Sequence, residues 1–80
     1  MPSSISTTTM EEVRNDLARN LKLLRKERGI AQERLALDAG VDRTVVSKIE
    51  RAVGNPGLET LLKLANELGV PFAALFTAER

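Results

Sequence analysis

The chain has 80 residues, of which 42% are hydrophobic and only 2% aromatic, and its formal net charge is +1. This length fits one domain, and a core of leucine, isoleucine, valine and alanine favours an all-α bundle. Cysteine and histidine are both absent, which excludes a disulfide framework and a thiolate metal site and removes the usual general base. We therefore expect no enzyme, no cofactor and no metal.

Apolar runs in the sequence are too short for a membrane span, and the N-terminal residues do not resemble a signal peptide. We expect no membrane partner, and a chain without cysteine fits a reducing cytoplasm. Residues 1–8 are rich in serine and threonine and carry no charged side chain. They predict a flexible tail, because an arm that binds nucleic acid would be expected to carry Lys or Arg.

The first helix is predicted to begin at Thr9, which forms a T-x-x-E capping box with Glu12. Gly29 is a suitable stop for this helix. The predicted buried stripe consists of Val13, Leu17, Leu21 and Leu24, and the last turn carries Arg25, Lys26 and Arg28. Cations at that end suit the helix dipole, so these basic residues need no partner to explain them.

The stretch Gln32–Arg51 contains two short helical patterns joined at Gly40. A sharp turn there requires a left-handed backbone, which glycine adopts without a Cβ penalty. Asp42 offers a carboxylate to the free N–H groups of the second helix, and the small side chain of Ala36 lets two helices cross closely. These features predict a helix-turn-helix.

Two further helices are predicted after a Gly- and Pro-rich loop at residues 52–57. The fourth helix has a predicted stripe of Leu58, Leu61, Leu62, Ala65 and Leu68, with Leu64 at its margin. Pro71 then suits the first turn of a short fifth helix. The predicted organisation is a tail at 1–8, a five-helix domain at 9–77 and a C-terminal tail at 78–80.

From about Leu21 to Phe76 the chain resembles the Cro/repressor family (Xre-type, lambda-repressor-like) of helix-turn-helix proteins. The matching segments are LRKERG at 24–29, AQERLA at 31–36, AGVDRTVVSKIER at 39–51 and NPGLETLLKLANELGV at 55–70. The resemblance implies the five-helix fold of that family, with the helix-turn-helix at helices 2 and 3. It also implies that residues 42–51 form a recognition helix for the major groove of double-stranded DNA.

The family pattern also assigns individual contacts. It implies base contacts from Arg43, Thr44, Ser47 and Lys48, and phosphate contacts from Gln32, Arg51 and Asn55. Two simpler interpretations remain open: the first four residues could form an ordinary solvated helix face, and Gln32 could merely cap its helix.

Arg25 and Glu50 occupy positions that form a structural salt bridge in the family. We expect Arg25→Ala to lower both stability and DNA affinity. Ala52 departs from the usual pattern because the family commonly has glycine there. Either Ala52 adopts a costly left-handed conformation or Gly54 absorbs the turn. Gly57 stands where a serine or threonine usually caps the fourth helix.

One such domain reads few base pairs, so we expect a homodimer on a palindromic operator. The predicted dimer interface consists of Val70, Phe72, Leu75 and Phe76. The expected function is sequence-specific transcriptional regulation, as a repressor or a controller-type protein, with no small-molecule effector evident. The alternative is a protein-interaction module or antitoxin-like partner of the same fold.

Overall fold

The computed structural model describes residues 7–78, which form four α-helices and a 3₁₀ helix. Their bounds are α1 (Met10–Glu27), α2 (Gln32–Ala39), α3 (Arg43–Glu50), α4 (Leu58–Leu68) and the 3₁₀ helix Phe72–Phe76. Residues 7–78 contain no strand, so the all-α prediction is confirmed, while the predicted fifth helix is a 3₁₀ helix. Most of the predicted N-terminal tail and the last two residues lie outside the described residues. Within residues 7–78 no helix has the length and apolarity to cross a membrane.

Side-chain caps start α1 and α3 where the sequence predicts them. The hydroxyl of Thr9 accepts a hydrogen bond from the N–H of Glu12 at 3.1 Å, and the Glu12 carboxylate accepts one from the N–H of Thr9 at 2.9 Å. The Asp42 carboxylate accepts a hydrogen bond from the N–H of Thr44 at 2.9 Å. These bonds satisfy N–H groups that have no partner within the helix, so the helix starts are encoded locally.

All four α-helices end in the same backbone motif. A residue with positive φ donates its N–H to the carbonyl three residues back, and the next N–H bonds five residues back. This is the Schellman arrangement, which satisfies carbonyls at the end of the helix. The positive-φ residues are Gly29, Gly40, Ala52 and Gly69. Only α3 therefore ends on a residue with a Cβ.

The core is aliphatic and draws on every helix. Its fully buried members, each 0% exposed, are Leu21, Leu35, Val46, Leu64, Ala65 and Leu75. The stripe predicted for α4 is partly wrong: Leu64 lies in the core, whereas Leu58 and Leu62 are 75% and 47% exposed. Successive residues are about 100° apart around a helix, so the buried face at 61, 64, 65 and 68 leaves 58 and 62 at its edge.

Asn20 is a buried polar residue that the sequence analysis did not identify. Its Nδ2 donates to the carbonyl oxygens of Leu75 at 3.0 Å and Thr77 at 2.8 Å. Both partners are acceptors, which fixes the orientation of the amide. Arg19 adds hydrogen bonds to the carbonyls of Thr77 and Ala78. Together these bonds fasten the C-terminal end of the 3₁₀ helix to α1.

Candidate nucleic-acid interface

The turn between α2 and α3 sets the orientation of α3. Gly40 has φ 75°, and Asp42 caps the helix that follows. Val46 and Ile49 are 0% and 2% exposed, so the inner face of α3 is packed in the core. The opposite face carries Arg43, Thr44 and Lys48, which are exposed, and Ser47, which is half-buried. The predicted base-contacting residues therefore share one outer surface.

Arg43 lies in the first turn of α3 and is paired across the helix-turn-helix with Glu33 in the first turn of α2. The distance from Arg43 Nη1 to Glu33 Oε2 is 3.2 Å, and the two side chains are 69% and 73% exposed. Glu33 is not among the residues predicted from the sequence to contact DNA. Ten residues separate the two, so no helical spacing signals this pair.

The two hydroxyl groups on this surface are also engaged within the chain. Thr44 Oγ1 donates to Asp42 Oδ1 at 2.9 Å, and Ser47 Oγ accepts from Arg51 Nε at 3.3 Å. The hydrogen bonds from the backbone N–H and the hydroxyl of Thr44 lower the pKa of Asp42. The Asp42 carboxylate is thus engaged in capping α3. The hydroxyls of Thr44 and Ser47 each keep a lone pair that can accept a hydrogen bond from a ligand.

Lys48 differs from Arg43, the other cation among these four residues, because it forms no ion pair within residues 7–78. Its stem passes Gly54, where an added Cβ would lie 3.5 Å from Lys48 Cβ. It borders an apolar cleft of about 210 Å³ lined by Val45, Ile49, Val53, Asn55 and Pro56. The charge of Lys48 helps to lower the pKa of Asp42, but its ammonium has no ion-pair partner within the described residues.

The predicted phosphate-contacting residues lie around the ends of α2 and α3. Gln32 does not cap α2, whose N-cap Ala31 makes no side-chain bond. Instead, Gln32 Nε2 donates to Glu50 Oε1 at 3.0 Å, which leaves its second amide hydrogen and its carbonyl oxygen for another partner. Arg51 and Asn55 are both exposed beyond α3. Their contacts with phosphate stay predictions.

The expected ion pair between Arg25 and Glu50 is present, and it is largely buried. Arg25 Nε lies 2.6 Å from Glu50 Oε2, and the side chains are 12% and 1% exposed. Burial alone would raise the pKa of Glu50, but the hydrogen bonds from Arg25 and Gln32 and the charges of Arg25 and Lys22 outweigh it. The net effect lowers the pKa of Glu50, so its carboxylate is ionised at neutral pH.

The loop after α3 has a left-handed backbone at both of the positions that the sequence offered as alternatives, Ala52 and Gly54. Ala52 has φ 60° and Gly54 has φ 86°, so two residues adopt positive φ. Arg14 on α1 holds this loop from outside, since its Nε donates to the Gly54 carbonyl at 2.9 Å. This role of Arg14 was not predictable from the sequence, because the contact spans 40 residues.

One residue of the predicted dimer interface is placed wrongly by the sequence analysis. Leu75 is 0% exposed and belongs to the core of its own protomer, so it cannot reach a second copy. Val70, Phe72 and Phe76 are half-buried and pack against that core. The ring centroids of Phe72 and Phe76 lie 5.7 Å apart. Any role for these three residues in a dimer stays a prediction.

Comparison with known proteins agrees with this geometry. Residues 21–75 match the family model described as helix-turn-helix. The chain belongs to this family. The matched residues run from the middle of α1 to the 3₁₀ helix, so family membership rests on the whole bundle and not on the turn alone.

Relatives in the helix-turn-helix family include regulators of transcription. The chain is 38% identical over 68 residues to the transcriptional regulator SutR of Escherichia coli, covering 85% of this chain and 38% of SutR. The crystal structure of the hypothetical transcription factor NHTF from Neisseria superposes with a TM-score of 0.80 at 37% identity, covering 91% of this chain and 84% of that one.

A third relative is the controller protein C.Esp1396I bound to a 19 base pair DNA duplex, with a TM-score of 0.72 and 31% identity over 80% of this chain and 85% of that one. The chain spans 38 to 57% of the length of three curated relatives that it matches.

Proposed function

We propose that this protein is a sequence-specific DNA-binding regulator of transcription, which acts in the cytoplasm by occupying an operator without a chemical step. The observation that carries the proposal is the two-sided character of α3. Val46 and Ile49 anchor it in the core, while Arg43 and Lys48 extend from the opposite face. Arginine and lysine donate to guanine O6 and N7, which are exposed in the major groove.

The neighbouring side chains suit the other contacts of such a complex. The Thr44 methyl can touch a thymine methyl, and Ser47 can bond to a base or a phosphate. Gln32 at the start of α2 is placed for a phosphate, because the free N–H groups of a helix start favour anions. Arg51 and Asn55 extend the phosphate contacts beyond α3. The DNA complex of the relative C.Esp1396I supports double-stranded DNA as the partner.

The protein is proposed to act as a homodimer on a palindromic site, because one recognition helix reads too few base pairs for a regulator. A two-fold axis would set the two α3 helices about 34–36 Å apart, in successive major grooves. With Leu75 excluded, the exposed leucines Leu58 and Leu62 of α4 are the best apolar candidates for the contact.

Charge favours a second copy as the occupant of this α4 surface. Glu59 and Lys63 flank the two leucines and have no ion pair within residues 7–78. A two-fold axis perpendicular to α4 packs the helix antiparallel to its copy, so the acidic start of one helix meets the basic middle of the other. The same surface on each copy then places Glu59 of one copy opposite Lys63 of the other. Val70, Phe72 and Phe76 would extend the same contact.

Selection of bound duplexes from a random DNA pool tests the function. We expect a palindromic consensus, an affinity that falls steeply with salt, and relaxed base preference in Lys48→Ala and Arg43→Ala. Arg34→Ala is the matched control, because it removes an exposed cation from the outer face of α2. Absence of DNA binding at low salt would overturn the proposal and favour a protein-interaction module of this fold.

A further inference from the structure

The ion pair between Glu33 and Arg43 places a carboxylate on a surface proposed to meet a polyanion. The pair spans a cleft of about 240 Å³ between the start of α2 and α3, which Gln32, Thr44 and Ser47 also line. An exposed ion pair adds little to stability. The contact between Glu33 and Arg43 therefore contributes little to folding.

Glu33 is the only acidic residue among those that line this cleft, and its place in the first turn of α2 suits the helix dipole. Two acidic residues nearby have stronger structural roles. Asp42 is occupied in capping α3, and Glu50 is buried against Arg25. Glu33 bonds to Arg43 alone. Its carboxylate is thus positioned to modify the chemistry of one side chain, which is a proposed reader of base edges.

The pairing affects the two uses of an arginine differently. A guanidinium has five N–H donors, and Glu33 occupies one on Nη1. The remaining donors still include a pair that fits guanine O6 and N7. Attraction to a phosphate depends mainly on charge, and the adjacent carboxylate offsets that charge. The ion pair therefore leaves Arg43 able to bind guanine and weakens its attraction to the phosphate backbone of DNA.

We propose that Glu33 is a specificity-determining positioning residue, which holds the Arg43 guanidinium for base reading and reduces its attraction to phosphates that carry no sequence information. The inference rests on the proposed DNA-binding function and deepens it. Glu33 raises the ratio of specific to non-specific affinity at the expense of affinity for DNA in general.

The test compares Glu33→Gln with Asp38→Asn. Both variants remove one negative charge from α2 and disrupt one exposed arginine pair. Asp38 lies about 140° around the helix from Glu33, because five residues separate them at about 100° each. Each protein is titrated with a duplex selected by the wild type and with a random-sequence duplex of equal length, between 50 and 200 mM salt.

Release of Arg43 adds one effective phosphate contact, which steepens the slope of log affinity against log salt by about 0.9. Over this salt range the affinity of Glu33→Gln for random DNA should fall about threefold more than that of the wild type. Its ratio of specific to random affinity should fall below that of the wild type at 50 mM salt. Asp38→Asn should keep the wild-type slope and ratio.

Equal effects of Glu33→Gln and Asp38→Asn would overturn the inference, because they would reflect total charge alone. So would an effect of Glu33→Gln that persists in an Arg43→Ala background, since Glu33 is proposed to act through Arg43. If the wild type binds a consensus sequence and Glu33→Gln has the same salt slope and the same ratio of specific to random affinity, only the proposed role of Glu33 is refuted. If the wild type binds no DNA, the proposed function fails with it.

Discussion

Arg25 on α1 binds both carboxylate oxygens of Glu50 on α3, with Nε–Oε2 at 2.6 Å and Nη2–Oε1 at 2.9 Å. The remaining guanidinium nitrogen, Nη1, donates to the Ile30 carbonyl at 2.7 Å, and Gln32 of α2 donates to the same carboxylate. Helices α1, α2 and α3 therefore meet at one buried carboxylate. Its position fixes the C-terminal end of the proposed recognition helix against the other two helices.

Arg25→Ala should destabilise the fold by about 3–5 kcal/mol at pH 7, because it leaves the Glu50 carboxylate buried without its cation. The lowered pKa of Glu50 means that its stabilising contribution is present above the ordinary glutamate pKa and is lost as the pH falls through the native value. In the variant, burial dominates and raises that pKa. The difference in unfolding free energy between the wild type and Arg25→Ala should therefore be smaller at pH 4 than at pH 7. Chemical denaturation at the two pH values would measure it.

Arg34→Ala provides the control for this experiment, because its partner Asp38 is exposed and the pair contributes at most about 1 kcal/mol. The Arg25 variant should also bind DNA less tightly, since the end of α3 loses its anchor. An unchanged melting temperature together with unchanged DNA binding would contradict the role assigned to this ion pair.

Ala52→Gly should stabilise the protein, because Ala52 occupies the positive-φ position that glycine holds at the ends of the other three helices. A left-handed alanine costs about 1–2 kcal/mol, and the greater freedom of glycine in the unfolded chain offsets up to about 1 kcal/mol of the gain. The net gain of about 0.5–1 kcal/mol corresponds to about 2–8 °C in melting temperature.

Ala73→Gly is the matched comparison, since Ala73 is exposed and its φ is not positive. Scanning calorimetry should show a lower melting temperature for that variant and a higher one for Ala52→Gly. A destabilised Ala52→Gly would mean that the Ala52 methyl group makes packing contacts worth more than the backbone strain.

Features set by neighbouring residues were predictable from the sequence. The capping box at Thr9, the turn at Gly40 and the cap at Asp42 each depend on residues within one helical turn. The pairing of Arg25 with Glu50 spans 25 residues, and only the resemblance to a family suggested it. Local chemistry thus defined the helices, and family knowledge supplied the long-range contact.

Features set by tertiary contact were not predictable in the same way. The apolar residues of α4 cover more than one stripe, and only packing decides that Leu64 is buried and Leu58 exposed. The Glu33–Arg43 pair depends on the crossing of α2 and α3. Asn20 is the exception, since it lies three residues after Leu17 and four before Leu24. That position on the buried face of α1 could have identified it.

Asn20→Asp should destabilise the fold strongly at pH 7, because a carboxylate would face the carbonyl oxygens of Leu75 and Thr77 where an amide now donates. Each unsatisfied buried group costs about 1–3 kcal/mol, and a charged one costs more. The loss should diminish at pH 4, where a protonated carboxyl can donate one hydrogen bond. Asn15→Asp on the exposed face of α1 is the control. Equal urea midpoints for the two variants would refute a structural role for Asn20.

Leu62→Lys should convert a dimer to a monomer, because it places an ammonium in the centre of the proposed contact between two copies of α4. Leu62 is 47% exposed in the protomer, so the substitution should leave folding intact. Leu37→Lys is the matched control, since Leu37 is 69% exposed on α2. Sedimentation at micromolar concentration, with and without DNA, should show dimers for the wild type and Leu37→Lys and monomers for Leu62→Lys. A wild type that sediments as a monomer in both conditions would refute dimerisation, and a dimeric Leu62→Lys would move the interface away from α4.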